Sequence, residues 1–336
     1  GTSGAPGDVT GQTSATGVSL GDFTQILVNN TDEVQWVDYR VHPYASGTGA
    51  GADCDYGVNL DTTFRIYVNP TPRIEVNVAP SNTICNNDIV TFGITNPNQP
   101  IHGAWQYILE VEYGPNIQGN DIGGVYTDIP PFVQDSLVNT DTAYSYAVYR
   151  FSPWIVDLDG DSCAVGETII DTILVNPTPA IRVRAQDSIL CNGEPAIIHI
   201  YNPNRFANGD WEYNLTVTPD PGGMITGFDP GGLGRTDTII NDPLINHDTI
   251  AHKVEYMFSP VRTPAPDVCA GGKDTTIVIW VNPTPEVRVT VSDLVLCDGD
   301  PLSIQARNPN DPIRGVWDGV LEIHIDPGIS GITDAP

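Results

Sequence analysis

The chain has 336 residues, with 42 acidic and only 14 basic side chains, so its formal net charge is −28 at pH 7. This charge excludes nucleic acid as a partner, because nucleic-acid binding needs basic faces, and it disfavours adhesion to anionic membranes. No apolar run reaches the roughly 18 residues of a membrane-spanning helix, so no membrane insertion is expected.

Several short sequence motifs recur in the same order along the chain. Asn-Pro-Thr-Pro occurs three times, at intervals of 107 and 106 residues, and spans Asn69–Pro72, Asn176–Pro179 and Asn282–Pro285. Between the copies the same marks return in the same order: a cysteine, Asn-Pro-Asn, Gly-x-Trp, Leu-(Val/Ile)-Asn, Tyr-x-(Phe/Val)-x-Pro and a second cysteine. Self-similarity at a long fixed period indicates tandem copies of one unit. The expected domains are the C-terminal half of a repeat, two complete repeats and the N-terminal half of a repeat, over residues 1–70, 71–177, 178–283 and 284–336.

Within a repeat, short Ile- and Val-rich segments separated by Gly and Pro predict strands, and no stretch shows sustained helical periodicity. In the first complete repeat, the predicted strands A, B, C, E, F and G are Arg73–Val78, Ile89–Ile94, Ala104–Tyr113, Phe132–Val138, Tyr144–Phe151 and Thr168–Val175. A tryptophan early in strand C is typical of immunoglobulin-like cores. The pattern predicts an all-β fold of tandem immunoglobulin/PKD-like β-sandwich domains, with Tyr149 in the core.

Asn-Pro-Thr-Pro falls between strand G of one repeat and strand A of the next. Two prolines fix φ and bar a helix, which predicts short extended linkers and a stiff linear rod. The linker prolines are Pro70, Pro72, Pro177, Pro179, Pro283 and Pro285. The half-repeats indicate a window of a longer array. The alternative is a self-complementing polymer, in which the half-repeats of two molecules complete each other by strand addition.

Six cysteines at repeat-locked positions favour disulfides and an exported protein. Zinc is the competing interpretation, but no Cys-x-x-Cys spacing occurs and the histidines do not repeat with the cysteines. In an end-to-end stack, the A–B loop of one repeat meets the F–G loop of the next, which favours a bond between Cys85 and Cys269. The other cysteines, whose partners stay open, are Cys54, Cys163, Cys191 and Cys297.

Three features together resemble a known repeat type: Val-Asn-Pro-Thr-Pro after a Thr/Ile/Val-rich strand, a following Cys-(Asn/Asp)-(Gly/Asn), and an upstream Tyr-x-Phe-Ser-Pro with a later cysteine. They are similar to the PKD-like repeats of giant Bacteroidota cell-surface adhesins, especially gliding-motility adhesins of the SprB type. The resemblance covers the whole chain. It implies export by type IX secretion, display as long surface filaments, and no catalytic residues.

The resemblance also implies O-glycosylation where Asp precedes Ser or Thr and an aliphatic residue follows. The candidate hydroxyls are Ser136, Thr142, Thr172, Ser188, Thr238 and Thr249. The alternative is that Asp-Thr-Ile is merely the way a turn enters a strand.

One acidic loop offers hard oxygen atoms that suit calcium, at Asp157, Asp159 and Asp161. A solvated loop is the favoured interpretation, because the equivalent loops lack the pattern. No other cofactor or metal is expected.

No enzyme is predicted, since the six histidines occupy non-equivalent repeat positions and no nucleophile or phosphate-loop motif occurs. The predicted function is a structural segment of a cell-surface adhesin filament, in gliding motility or surface attachment. Its partners would be neighbouring repeats of the same chain and an unidentified surface or polysaccharide target.

The main alternative is a carbohydrate-binding or spacer module of a large secreted enzyme. In that case Trp105, Trp211 and Trp317 would stack on sugars, or Trp154 would be an exposed aromatic in the F–G loop.

Overall fold

A computed structural model describes residues 7–15, 23–45, 54–55, 61–127, 132–263, 269, 271–325 and 327–329. These residues form strands, turns and bends but no helix, so the predicted all-β class is confirmed. No described segment is a helix long and apolar enough to cross a bilayer. The chain divides into two compact units. Unit 1 is Gly1–Thr178 with Arg205–Gly209 and Pro264–Cys269, and unit 2 is Pro179–Asn204, Asp210–Thr263 and Ala270–Pro336.

The described residues of unit 1 form sixteen strands: β1 (Val9–Thr10), β2 (Val28–Asn29), β3 (Gln35–Val41), β4 (Tyr44–Ala45), β5 (Cys54–Asp55), β6 (Thr62–Val68), β7 (Glu75–Ala79), β8 (Thr83–Ile84), β9 (Ile89–Thr95), β10 (Ala104–Tyr113), β11 (Ile117–Gln118), β12 (Gly124–Tyr126), β13 (Phe132–Ser136), β14 (Val138–Asn139), β15 (Ser145–Val156) and β16 (Ile169–Val175). Ten of them build one sandwich with a five-stranded sheet, β12-β10-β15-β16-β8, a three-stranded sheet, β13-β9-β7, and the pair β11-β14. The pairs β3-β6, β1-β2 and β4-β5 precede it.

The core of unit 1 lies between the two larger sheets. Phe92 of β9 faces Tyr149 and Phe151 of β15, with ring centroids 4.4 and 5.4 Å apart. All three side chains are fully buried. Alternate residues of β9, β10 and β15 point into this layer, as expected for strands with one buried face. Tyr149 is therefore a core residue.

In the part of unit 2 that the structure describes there are twelve strands: β17 (Arg182–Ala185), β18 (Ile189–Leu190), β19 (Pro195–Tyr201), β20 (Asp210–Pro219), β21 (Ile225–Thr226), β22 (Gly232–Arg235), β23 (Ile239–Pro243), β24 (Ile245–Asn246), β25 (His252–Thr263), β26 (Thr275–Val281), β27 (Arg288–Val291) and β28 (Ile304–Arg307). Its sandwich repeats the topology of unit 1, with sheets β18-β26-β25-β20-β22 and β17-β19-β23 and the pair β21-β24. The hairpin β27-β28 follows as a separate two-stranded sheet.

Most strand boundaries of the first complete repeat differ from the prediction by one or two residues, and that of strand F differs most. Strand F, β15, continues to Val156 instead of ending at Phe151, so Trp154 is a half-buried strand residue opposite Gln106 and does not lie in the F–G loop. Strand G pairs with F only as far as Phe151; beyond it the F–G loop lies along this edge, and the amide of Gly166 donates to the carbonyl oxygen of Pro153 at 2.8 Å. Pro153 is tolerated there because no strand needs the N–H that proline lacks. Two strands that pair with the five-stranded sheet, β8 and β12, were also not predicted.

Candidate functional site at the repeat joints

The first Asn-Pro-Thr-Pro segment lies between β6 and β7, and its asparagine is clamped to a loop more than thirty residues away. Asn69 donates its side-chain Nδ2 to the carbonyl oxygen of His102 at 2.8 Å, and its Oδ1 accepts the His102 amide at 2.8 Å. The imidazole ring of His102 also stacks on Tyr67, with centroids 4.3 Å apart. Pro70 and Pro72 are both buried. The linker is thus a packed element of unit 1.

A second asparagine holds the other side of this joint. Asn98, from Asn-Pro-Asn, is fully buried, and its Oδ1 accepts the amide of Arg73 at 2.6 Å. Its Nδ2 donates to the carbonyl oxygens of Thr71 at 3.2 Å and Asp32 at 3.3 Å. One side chain therefore joins the linker, the start of β7 and the turn before β3. Arg73 adds an ion pair to the Asp32 carboxylate at 3.0 Å.

The third Asn-Pro-Thr-Pro segment, in unit 2, repeats these contacts. Asn282 donates to the carbonyl oxygen of Arg314 at 2.9 Å and accepts its amide at 2.8 Å. The Arg314 guanidinium lies 3.6 Å from the ring centroid of Trp280, where His102 stacks on Tyr67 in unit 1. Asn310 accepts the amide of Glu286 at 2.6 Å and donates to the carbonyl oxygen of Thr249 at 3.0 Å. The joint is therefore a repeated structure whose polar contacts recur at equivalent residues.

The repeat-locked tryptophans belong to the same joints. Trp105 donates its indole N–H to the carbonyl oxygen of Arg73 at 3.0 Å, and Trp317 donates to that of Glu286 at 3.1 Å. Trp211 makes the equivalent bond to Ala180 at 2.9 Å. Trp105 is only 5% exposed, so its ring cannot stack on a sugar. The tryptophan positions thus follow from packing and from a fixed hydrogen bond at the start of each A strand.

A third repeated asparagine is hydrogen-bonded to the backbone at the end of strand G. Asn139 is 3% exposed, and its Nδ2 donates to the carbonyl oxygens of Ala143 at 2.9 Å and Val175 at 2.8 Å. Asn246 makes the equivalent bonds to Ile250 and Val281. Because Val175 and Val281 immediately precede Asn-Pro-Thr-Pro, these bonds fix where each linker begins.

Glycines of the F–G loops press against the linkers. A Cβ on Gly166 would lie 1.9 Å from the carbonyl oxygen of Pro72, and a Cβ on Gly272 would lie 2.3 Å from that of Pro179. No side chain fits at either position. The F–G loop of each of these repeats is therefore in contact with the last proline of the linker that precedes the repeat.

Cys85 and Cys269, both in unit 1, form a disulfide with an S–S distance of 2.00 Å and a Cα–Cα distance of 5.4 Å. The bond joins residues 184 positions apart. Cys163 is half-buried and unbonded, while Cys191 and Cys297 are exposed and unbonded. Cys54 lies in β5.

Each sandwich also buries one carboxylate against a core tyrosine. The hydroxyl of Tyr149 donates to Asp135 at 2.7 Å, and that of Tyr256 donates to Asp242 at 2.7 Å. Burial, and then the neighbouring carboxylate, raise the pKa of both tyrosines well above the usual range. The Asp135 side chain accepts the amide of Asn120 as well. This aspartate therefore has a structural role within the Asp-Ser-Leu pattern.

The glycosylation candidates are distributed over strands and turns. Thr142, Thr172, Ser188, Thr238 and Thr249 are exposed, whereas Ser136 is half-buried in β13. Thr142 and Thr249 lie beside the joints in corresponding turns.

The acidic F–G loop is folded on its own backbone. Oδ1 of Asp157 accepts the amides of Asp159 at 3.0 Å and Asp161 at 2.9 Å, so this carboxylate caps the turn. Among the residues that the structure describes, no three His, Cys, Asp or Glu side chains converge on a common metal position.

The three asparagines of each joint were visible in the sequence only as repeat marks, with no role assigned. A signal for their role was present, since asparagine offers both a donor and an acceptor on a short side chain and is suited to bonding backbone groups in turns. Their partners lie too far along the chain to be inferred from spacing.

No protein-family model matches this chain, and no curated protein sequence does. Solved structures with a similar course of the chain include one of the Escherichia coli adhesin FdeC, at 12% identity and a TM-score of 0.28, covering 73% of this chain and 76% of the solved chain. The FN1–FN3 domains of chicken CNTN1 are 10% identical, with a TM-score of 0.24 and coverage of 74% and 77%. The Ig1–Ig3 ectodomain of mouse nectin-like molecule 4 is 10% identical, with a TM-score of 0.29 and coverage of 64% and 65%.

Proposed function

We propose that this chain is a structural, non-enzymatic segment of a long extracellular adhesin filament that transmits load from repeat to repeat. The observation that carries the proposal is the recurrence of the joint. In both units an Asn-Pro-Thr-Pro asparagine holds a distant backbone by paired hydrogen bonds, at Asn69 and at Asn282. A flexible tether needs no such bonds. Conversely, a segment under tension benefits from linkers that are packed and fixed at both ends.

The proposed domain division follows the same joints: residues 1–70, 71–177, 178–283 and 284–336. Partner contacts would then come first from neighbouring repeats of the same array. The net charge of −28 keeps neighbouring filaments apart. A role in gliding motility or surface attachment, with type IX export and glycans on the exposed hydroxyls, is supported by the resemblance of the repeats to adhesins of the SprB type.

The mechanical proposal is tested by replacing Asn69–Pro72 with Gly-Ser-Gly-Ser. Gly-Ser linkers behave as flexible coils, so the distribution of angles at this joint should broaden in negative-stain images and in small-angle scattering. The control places the same four residues at 221–224, an exposed turn of unit 2. An angular distribution equal to that of the unaltered protein would refute a stiffening role for the linker.

The filament itself is tested on native material. Antibodies raised against the chain should label thin fibres attached to cells in immuno-electron microscopy. Label confined to a soluble secreted enzyme fraction would support the spacer-module alternative instead.

A further inference from the structure

The outer face of the smaller sheet of unit 2 is basic, although the chain as a whole has a formal net charge of −28. In the sheet β17-β19-β23 alternate residues point inward, so Val183 packs against the core whereas Arg182 and Arg184 are exposed. No carboxylate lies at an outward position of this sheet. The outward residues of the three strands are Arg182, Arg184, Pro195, Ile197, His199, Tyr201, Ile239, Asn241 and Pro243.

The two arginines have no carboxylate partner among the residues that the structure describes. The ion pairs of unit 2 are made by Arg235, His252 and Lys253. An unpaired guanidinium group presents five N–H donors in a planar fork that fits a carboxylate through two hydrogen bonds. This face can therefore take up carboxylates from outside the unit.

Each arginine stands beside a ring. In the antiparallel pairing of β17 with β19, Arg182 is opposite Tyr201 and Arg184 is opposite His199. Side chains directly opposite each other are about 5 Å apart at Cβ, and the two rows are about 7 Å apart along the strands. The two rings are inclined by 23° with centroids 6.5 Å apart, and Tyr201 is 54% exposed. The face thus repeats a pair made of one cation and one ring.

The equivalent face of unit 1 lacks this pattern. Its first row has Glu75 opposite Thr95, and its second row has Asn77 opposite Gly93. The charge at the first position is therefore reversed, from Glu75 to Arg182, within the same sheet topology. Unit 1 builds this sheet without arginines, so packing of the sandwich does not require them.

We propose that this face binds an acidic polysaccharide, with Arg182 and Arg184 each holding a carboxylate and Tyr201 packing on a sugar ring. Each sugar of such a polymer offers one anion and one ring, which are the groups that each row of the face complements. The inference rests on the proposed adhesin role, for which it names a class of target.

Other anionic partners fit the face less well. A second copy of this chain carries the same net charge of −28, which opposes its approach, and the centre of a protein interface is usually depleted of charge. Duplex nucleic acid carries one charge per about 1.7 Å, and its binding needs more cations than two. A polysaccharide with one charge per sugar can lie extended along a flat sheet and match the two rows.

The test measures binding of polygalacturonate, in which every sugar carries a carboxylate, to the full chain by isothermal titration calorimetry. The buffer contains about 0.15 M salt, so that charges more than about 8 Å away are largely screened. Arg182→Gln/Arg184→Gln should weaken binding about 100-fold, because each charge-assisted contact contributes about tenfold. Tyr201→Ser should weaken it about tenfold.

The matched control is Arg150→Gln/Lys273→Gln, which removes the same total charge from positions outside the face. It should bind polygalacturonate as the unaltered protein does. Two altered polymers separate the groups of the ligand: fully methyl-esterified polygalacturonate has rings without carboxylates, and polyglutamate has carboxylates without rings. Both should bind at least about tenfold more weakly than polygalacturonate. Because the altered side chains point outward, the melting temperature should be unchanged in every variant.

Several results would overturn the proposal. These are no binding of polygalacturonate to the unaltered protein, unchanged binding by Arg182→Gln/Arg184→Gln, or an equal loss in the control. Equal affinity for polyglutamate or duplex DNA would show that charge alone is recognised. Self-association that the Arg182→Gln/Arg184→Gln change abolishes would assign the face to a second copy. Labelling of fibres on cells tests the adhesin role separately, and it can fail while polysaccharide binding is observed.

Discussion

Replacing Asn98 by aspartate exchanges the side-chain amide nitrogen at the centre of the first joint for a carboxylate oxygen and leaves the side-chain shape unaltered. The carboxylate still accepts the amide of Arg73, 2.6 Å from Oδ1 in the unaltered protein. It can no longer donate to the carbonyl oxygens of Thr71 and Asp32. At neutral pH it also places a negative charge beside those oxygens at a position with no exposure to solvent.

The cost follows from these contacts. Leaving a buried polar group without its partner costs about 1–3 kcal/mol, and the two donated bonds are long, so we assign roughly 1 kcal/mol to each carbonyl. The free-energy cost of burying the new charge is partly offset by the hydrogen bond from the Arg73 amide, and it adds about 1 kcal/mol or more. The total of about 3 kcal/mol corresponds to a change of roughly 100-fold in the opening equilibrium of the joint.

Hydrogen exchange measures that equilibrium at the joint itself. The amide of Val34 donates to Pro100 at 2.8 Å and that of His102 donates to Asn69, so both report on joint opening. In Asn98→Asp both should exchange roughly 100-fold faster, while amides in the β10–β15 pairing keep their protection. The control is Asn77→Asp, the same change at an exposed position of β7.

Two results would refute this reasoning. Unchanged protection of Val34 and His102 would show that the asparagine does not hold the joint. Equal loss of protection throughout unit 1 would show that Asn98 stabilises the whole sandwich instead of the joint.

Three further predictions concern the loop glycines, the buried tyrosines and the disulfide. Gly272→Ala should destabilise unit 2 by about 2 kcal/mol or more, because its Cβ would meet the linker carbonyl at 2.3 Å, whereas Gly232→Ala, with open space around it, should change the melting temperature little. Tyr149→Phe should cost unit 1 about 1–2 kcal/mol in chemical denaturation, since it leaves a buried carboxylate short of one donor. The raised pKa of Tyr149 favours the neutral phenol in the folded state. The stabilisation that Tyr149 contributes is therefore complete below the unfolded-state pKa of about 10 and is lost as pH rises through the folded-state pKa. In an absorbance titration this phenol should resist ionisation until unit 1 unfolds. Cys85→Ser, or reduction, should lower the stability of unit 1 by about 2–5 kcal/mol, and an unchanged calorimetric transition would contradict that expectation.

Much of the sandwich could be predicted from local pattern, because alternation of buried and exposed residues is a property of the strand itself. Strand C was predicted as Ala104–Tyr113 and is observed there. The end of strand F was not, since Pro153 signals a strand end in sequence and is accommodated only because β16 stops pairing at Phe151. Where strand F ends therefore depends on the pairing of a neighbouring strand and cannot be predicted from the residues of F alone.

At the joints too, some features could be predicted from the sequence and others could not. The sequence by itself determined that there is a repeat, that two prolines restrict each linker, and that asparagine recurs at four positions per repeat. Only the tertiary structure decided what those asparagines bind, because a side chain such as Asn69 meets His102 only after the intervening strands have packed. The same reason separates the cysteines: their repeat spacing is a property of the chain, while the pairing of Cys85 with Cys269 requires loops 184 residues apart to come within disulfide reach.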